Sequence, residues 1–250
     1  MHTFFLYGES LQEGKGLFLP PDDVNHAYRV LRLRTGDEVV LSDGRGKAHL
    51  AVIVDSGPQK VALRVGGETA SLESFLQISL YQALAKGDRF DLVVRQAVEL
   101  GVQAITPVAT ARSVPRLDSR REEKRLQRWR SIARSSAAQC RRSLLPKINP
   151  VRSIESVKGA FRNTTTFVPW ECEENTSLYK SLKQPVPRDK AVSIFIGPEG
   201  GFSDKEIEAL QEAGAIPVSL GPRIMRVDTA AAAAITMVQA AWGDLSPEGD

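Results

Sequence analysis

Cysteine is almost absent: Cys140 and Cys172 are the only two, far apart, and neither has a neighbour at the spacing of a zinc site or redox pair. Both are expected to be small packing residues in a reducing, cytoplasmic setting. Histidine is nearly as scarce. His2, His26 and His49 lack ligand spacing, so no metal is expected. No apolar run approaches the roughly twenty residues that a spanning helix requires, so no membrane association is expected either. Residues 1–6 carry no basic stretch leading into a long apolar one, which argues against a secretory leader. The chain has no internal repeat.

The 250 residues that are there suit one large domain or two modest ones, with ample core in either case. Hydrophobic residues make up 42% and charged residues 25%, the balance of a soluble globular protein. The net charge of +3 hides a segregation: residues 112–152 hold 13 Lys and Arg against 3 acidic residues, and the remainder holds 20 against 27. One basic segment on an acidic body is the footprint of a protein that docks on phosphates. The plainer reading is a solvated helix face with incidental arginines.

Along the chain, apolar runs at residues 39–41 and 48–54 flank Ser42-Asp43-Gly44-Arg45-Gly46, a turn signal, and residues 60–65 alternate apolar and basic as a further strand. Residues 23–33 suit one helix, with His26, Val30 and Leu33 at helical spacing. A small sheet or barrel with one helix is expected, its edges in need of cover. A polar stretch at 66–74 then marks a change of character, and the domain boundary is placed near residue 72, giving domains 1–72 and 73–245. A strand at 77–85, a helix at 88–100 bounded by Asp88 and Gly101, and a strand at 103–109 make an α/β unit. A helix at 122–140 keeps one apolar stripe of Leu126, Trp129, Ala133, Ala137 and Cys140. The pattern continues with a short helix at 154–161, strands at 164–168, 191–196 and 216–220, and helices at 203–214 and 229–242. The strand at 191–196 is apolar enough to be covered on both faces. Residues 246–250 read as a frayed tail.

Two segments carry the chemistry. Phe195-Ile196-Gly197-Pro198-Glu199-Gly200-Gly201-Phe202-Ser203 runs from a buried strand through a glycine-rich turn into a helix, whose start is specified by a Ser203–Glu206 capping box. Glycines at a strand's C-terminal end expose backbone amides and admit a ligand close to the main chain, at the sheet edge where ligands bind. A tight connection that merely uses glycine is the bland alternative, weakened by Glu199 within the turn and by more glycines than a turn needs. The segment is not Gly-x-Gly-x-x-Gly and no Gly-Lys-Ser/Thr follows it, so dinucleotide and P-loop readings are poor. The second segment, Leu220-Gly221-Pro222-Arg223-Ile224-Met225-Arg226-Val227-Asp228-Thr229-Ala230, also leaves a strand through glycine and enters a helix, with Asp228 or Thr229 as the expected cap.

Together these segments resemble the C-terminal motifs of the RsmE family, ribosomal RNA uridine-N3 methyltransferases of the SPOUT class. The family pattern Gly-Pro-Glu-Gly-Gly-Phe-(Ser/Thr)-x-x-Glu matches from Gly197 to Glu206. The pattern Leu-Gly-x-Arg-Ile-Leu-Arg-x-Glu-Thr-Ala matches from Leu220 to Ala230, with Met225 for Leu and Asp228 for Glu. Upstream, Lys86-Gly87-Asp88 through Glu99-Leu100-Gly101 resembles the family, with Arg95 and Gln96 in place of Gln-Lys. Gln139-Cys140 with Arg142 and Pro146 also resembles it, with Ala138 in place of Glu. His26 with Val30-Leu31-Arg32 matches the N-terminal signature, and Thr3 stands where a basic residue is usual.

The resemblance implies a PUA-like β-barrel followed by a trefoil-knotted α/β domain of the SPOUT type, in a cytoplasmic homodimer acting on 16S ribosomal RNA or the small ribosomal subunit. Its cofactor would be S-adenosyl-L-methionine. Ile196, Gly197, Pro198, Gly200 and Gly201 from one loop, and Leu220, Ile224, Met225, Arg226 and Thr229 from the other, would cradle it. Leu220, Ile224 and Met225 would form an apolar slot for adenine. Uracil N3 carries a proton that must leave; Asp228 or Glu199 would take it, and Arg226, or failing it Arg223, would stabilise the charge left on the ring. His26, Arg29, Arg32, Arg34 and Arg45, with Arg134 and Arg142 in the basic stretch, are the candidates for RNA contact. Ribose 2′-O methylation, or a non-catalytic RNA-binding assembly factor, are the rival readings.

Overall fold

In a computed structural model, which describes residues 1–113 and 119–245, the chain divides into two compact units. Part of the basic stretch (114–118) and the expected frayed tail (246–250) lie outside the described residues. One unit takes Met1–Glu73 with Arg134–Leu145, and the other takes Ser74–Ala133 and the chain from Pro146 onward.

The first unit holds strands β1 (Thr3–Phe5), β2 (Gly16–Phe18), β3 (Glu38–Ser42), β4 (Ala48–Ser56) and β5 (Val61–Glu68), with one helix, α1 (Pro21–Asn25). The sheet order is β1-β3-β4-β5-β2, parallel only between β1 and β3. The turn between β3 and β4 is built by its own side chains. Asp43 accepts from the backbone N–H groups of Arg45 and Lys47, and the Ser42 hydroxyl accepts from Gly44 N–H. Two register shifts between β4 and β5 add twist, and the sheet curls over a core that includes Phe4, Leu17, Val39, Leu41, Ile53 and Leu63.

The single helix expected over 23–33 is not what forms. After α1 the backbone widens into a π-turn at His26–Val30, where Leu31 N–H reaches back to His26 O and Leu33 N–H to Ala27 O. The wider turn shifts the register, so Val24, Ala27 and Leu33 face the core while His26 and Val30 are exposed. Arg32, at φ 56°, ends the turn in the left-handed region.

Residues 134–145 pack with this unit as well. The reason is a buried ion pair. Arg142, only 4% exposed, donates through Nε and Nη2 to the Glu73 carboxylate at 3.1 and 2.8 Å. Glu73 also accepts from the N–H groups of Ser143 and Leu144, both at 2.9 Å. The Ser42 hydroxyl donates to Ser143 O at 2.5 Å, and Arg134 donates to Asp23 at 2.6 Å. Burial raises the Asp23 carboxyl above its ordinary value, and the Arg134 charge opposes that shift.

The second unit is a wholly parallel sheet of β6 (Gln77–Ala83), β7 (Ala104–Ala109), β8 (Lys147–Ile148), β9 (Arg152–Ser153), β10 (Thr165–Pro169), β11 (Ala191–Ile196) and β12 (Ile216–Val218). The order is β12-β10-β11-β6-β7-β8, with β9 also on β7. The helices are α2 (Arg89–Glu99), α3 (Ser119–Gln139), α4 (Ile154–Val157), α5 (Leu178–Ser181), α6 (Asp204–Glu212) and α7 (Val227–Trp242). Strands β8 and β9 and helix α5 are too short to show a period in the sequence. Gly101, at φ 85°, ends α2 as expected, whereas Asp88 at its other end makes no side-chain cap.

One face of this sheet packs Tyr81, Phe161, Phe195 and Phe202, with Tyr81–Phe161 and Phe195–Phe202 edge to face at 5.0 and 5.1 Å. Elsewhere α7 packs on α2 and β11, tied by the buried Gln239, whose amide donates to Leu100 O and accepts from the Ser74 hydroxyl. Among the described residues no helix is long and apolar enough to cross a membrane.

Glu73→Ala strands the buried Arg142 charge and two backbone donors, so a loss of about 3–5 kcal/mol is expected in urea denaturation. Replacing both partners (Glu73→Leu with Arg142→Met) should recover part of that loss. An unchanged midpoint in the single variant would contradict the ion pair.

Candidate functional site

Because every strand pair of the second sheet is parallel, the strand C-termini share one edge, and four chain segments meet there. A cleft of about 300 Å³ opens between them. The turn after β11 supplies Ile196, Gly197, Pro198, Glu199, Gly201 and Phe202. The loop leading into α7 supplies Ile224, Met225 and Arg226, joined by Val227 and Ala230 of the helix itself. The remaining wall is Arg89 at the start of α2, with Pro169 and Glu171 at the end of β10. A smaller chamber of about 90 Å³ adds Trp170, Ser219, Leu220, Gly221 and Arg223, and shares Pro169, Glu171, Ile224, Met225 and Ala230.

The glycines of the turn are not equivalent. Gly201 sits at φ 67°, and a methyl there would overlap the Glu171 carboxylate. At Gly197 a methyl would come within 2.9 Å of the Phe202 ring. Gly200 has no such constraint on its backbone; its nearest neighbour is Arg112 Cβ, 3.3 Å from a methyl placed there.

A turn with so few side chains is held from outside. Glu199 accepts from Lys86 N–H at 3.0 Å and from the Arg89 guanidinium at 3.2 Å. Arg112 donates to Gly200 O at 3.0 Å and Phe202 O at 3.3 Å. At the start of α6, Glu206 accepts from Ser203 N–H, as the capping pattern predicts, and also from the Ser203 hydroxyl and from Ala111 N–H at 2.8 Å.

Of the residues expected to cradle a cofactor, Ile196, Gly197, Pro198, Gly201, Ile224, Met225 and Arg226 line the main cleft, and Leu220 lines the smaller chamber. Gly200 and Thr229 line neither, because Gly200 backs onto Arg112 and the Thr229 side chain is exposed on α7. Neither Asp228 nor Thr229 caps that helix. Arg226 occupies the N-cap position, and Asp228 lies in the first turn, half-buried and without a hydrogen-bond partner among the described residues. The carboxylate therefore lies at the positive end of the helix dipole. Glu199 lines the cleft but already accepts two donors, and Arg223 reaches only the smaller chamber.

Arg89, Arg112, Pro169 and Glu171 are absent from the sequence-based selection. The rule that ligands gather at the C-terminal ends of parallel strands would have pointed to Pro169 and Glu171, just past the strand expected at 164–168. Nothing local marks Arg89 or Arg112.

Arg142 is buried against Glu73, Arg134 is bound to Asp23, Arg112 holds the turn, and Arg128 Nε donates to Asp91 at 2.6 Å. Four of the thirteen basic residues therefore serve internal contacts, and Arg134 and Arg142, expected to meet RNA, are spent on carboxylates of the protein itself. Lys124, Arg130, Arg141, Lys147 and Arg152 remain exposed, as do His26, Arg29, Arg32, Arg34 and Arg45 of the first unit. Arg34 lies over the Tyr28 ring at 5.4 Å. Among the described residues no group of histidine, cysteine and acidic side chains could hold a metal ion.

Comparison with known proteins agrees along the chain. A family model described as RNA methyltransferase domain matches residues 72–239, and one described as RNA methyltransferase PUA domain matches residues 19–66. Ribosomal RNA small subunit methyltransferase E of Mycobacterium tuberculosis is 33% identical over 242 residues, covering 95% of this chain and 92% of that protein. Its Bacillus subtilis counterpart is 25% identical over 95% of this chain and 96% of its own length. Among solved structures, the Neisseria gonorrhoeae ribosomal RNA small subunit methyltransferase E bound to S-adenosyl methionine superposes with a TM-score of 0.87 at 34% identity. It covers 98% of this chain and 100% of its own. A putative methyltransferase of Legionella pneumophila, in complex with the bound cofactor SAM, gives 0.86 at 33% identity, over 97% and 98% of the two chains.

Arg112→Ala removes one of the two outside holds on the turn. Amide hydrogen exchange over residues 200–203 should quicken roughly fivefold, the effect of losing about 1 kcal/mol of hydrogen bonding. Unchanged exchange there would mean that the arginine does not restrain the turn.

Proposed function

Ribosomal RNA small subunit methyltransferase E is the family to which this chain belongs, and on that premise we propose that it methylates N3 of one uridine in small-subunit (16S) ribosomal RNA. It is an S-adenosylmethionine-dependent ribosomal RNA methyltransferase with a PUA domain ahead of its SPOUT-type α/β domain. The observation that carries the proposal is the meeting of residues 196–202 and 224–227 on one cleft at the sheet edge.

The residues present fit the cofactor. Gly197 and Gly201 line the cleft without side chains, where a Cβ would collide with its Phe202 and Glu171 walls, so the main chain can be approached closely. Pro169, Leu220, Ile224 and Met225 offer apolar contact for a purine beside it. S-adenosylmethionine supplies a methyl group made electrophilic by its positively charged sulfur.

The chain's own part is to hold, orient and move a proton. Arg226 lines the cleft with no partner among the described residues, and we assign it the stabilisation of negative charge on the uracil oxygens once N3 loses its proton. Asp228 lines neither chamber, but its carboxylate is unpartnered among the described residues in the first turn of α7, beside Val227 of the cleft wall, and it is the better candidate to accept that proton. Glu199 is occupied by Lys86 and Arg89 and serves as a loop anchor. Aspartate reaches one methylene less far than the family's glutamate, so substrate must come close to the start of α7.

Exposed basic groups of the PUA unit (His26, Arg29, Arg32, Arg34 and Arg45) would hold RNA by its phosphates. A homodimer belongs to the proposal, since Ile224 is 90% exposed at the cleft and a second copy would cover it. So do the trefoil knot and a cytoplasmic location.

Calorimetric titration with S-adenosylhomocysteine tests the cofactor site. The wild type should bind, and Gly201→Ala should bind roughly five- to thirtyfold more weakly, because a methyl there overlaps the Glu171 wall of the cleft and puts about 1–2 kcal/mol of strain on the turn. No binding to the wild type would leave a non-catalytic RNA-binding protein.

Arg226→Ala should lower methylation of small-subunit RNA about 10²–10³-fold, with S-adenosylhomocysteine affinity kept within a few-fold. Nucleoside analysis of the product separates N3-methyluridine from a 2′-O-methyl product, and full activity in the variant would remove Arg226 from the mechanism.

A further inference from the structure

Two acidic side chains line the cleft, and they are not alike. Glu199 is bound to Arg89 and Lys86, whereas Glu171 has no hydrogen bond or ion pair among the described residues. Glu171 sits just past β10 and lines both chambers. Its position over the turn is tight enough that any side chain at residue 201 would collide with its carboxylate. Glycine at 201 thus serves two ends, a left-handed backbone and room for Glu171.

An open carboxylate at the junction of an apolar chamber and a glycine-lined one is placed to accept hydrogen bonds. A nucleoside spanning the two would set its flat base against Leu220, Ile224 and Met225, and its sugar at the junction. A ribose offers two adjacent hydroxyl donors there, and a carboxylate can accept both. Resting on the methyltransferase reading above, we propose that Glu171 binds the ribose diol of the cofactor's adenosine and makes the cleft selective for ribonucleosides over 2′-deoxyribonucleosides. Arg89, held by Glu199 on the opposite loop, leaves Glu171 free for this role.

The test is calorimetric titration of the full chain with S-adenosylhomocysteine, with 5′-methylthioadenosine, which lacks the amino-acid end, and with its 2′-deoxy derivative. Wild type should prefer methylthioadenosine over the deoxy compound by roughly tenfold or more. Glu171→Ala should weaken S-adenosylhomocysteine and methylthioadenosine by the same factor, roughly tenfold to a hundredfold, and leave the deoxy compound within about threefold. Selectivity for the ribose would then be lost. Glu171→Gln, which keeps acceptor capacity without charge, should fall between, and thermal melting checks that both variants fold.

The proposal is overturned if Glu171→Ala keeps the ribose preference. It is equally overturned if that variant loses S-adenosylhomocysteine alone, which would place the carboxylate on the α-ammonium group. Failure of the wild type to bind either adenosine compound would refute the cofactor reading and this subsite with it. Normal wild-type binding with an indifferent Glu171→Ala would refute only the subsite.

Discussion

A turn that presents bare backbone to a ligand has given up the side chains that would hold it. Residues 197–201 are in that position, and the site depends on how the constraint is met. Glu199 reaches Lys86 and Arg89 on one side, Arg112 grips Gly200 and Phe202 on the other, and Glu206 joins the start of α6 to Ala111. Each hold is a charged group bonded to backbone or to an opposite charge, a stronger class of hydrogen bond than neutral pairs. The result is an open glycine surface whose shape is set by the charged groups around it.

The same logic governs where charge is spent. A chain with 13 basic residues in 41 consecutive positions (112–152) invites the reading that the whole stretch meets RNA. Arg112, Arg128, Arg134 and Arg142 are instead bound within the protein, each to a group far away in sequence. Arginine suits both tasks, since its planar fork pairs equally well with a carboxylate, a carbonyl or a phosphate. Residue type alone therefore cannot separate a structural arginine from one kept for nucleic acid.

Parts of the fold are legible in the sequence. Apolar runs placed β6, β7, β10 and β11 to within a few residues. The stripe of Leu126, Trp129, Ala133 and Ala137 marked the buried side of α3, and all four are buried. The reading failed where structure is too short or too irregular for periodicity. Strands β8 and β9 have two residues each, and the π-turn at His26–Val30 turned His26 and Val30 outward where a regular helix would bury them.

What the sequence determined by itself is local: the glycine pattern of the turn, the Ser203–Glu206 cap, the Gly101 stop, and motifs specific enough to indicate the family. These rest on backbone geometry and on partners within a few residues, so a short window contains the whole cause. Only the tertiary structure decided that Glu199 is an anchor, that Arg142 is buried, and that Glu171 stands open beside Gly201. Those outcomes depend on partners 113 residues away for Glu199 and 69 for Arg142. No window of sequence spans such distances. They exist only once the parallel sheet has brought its strand ends to one edge and the curled sheet has closed over residues 134–145.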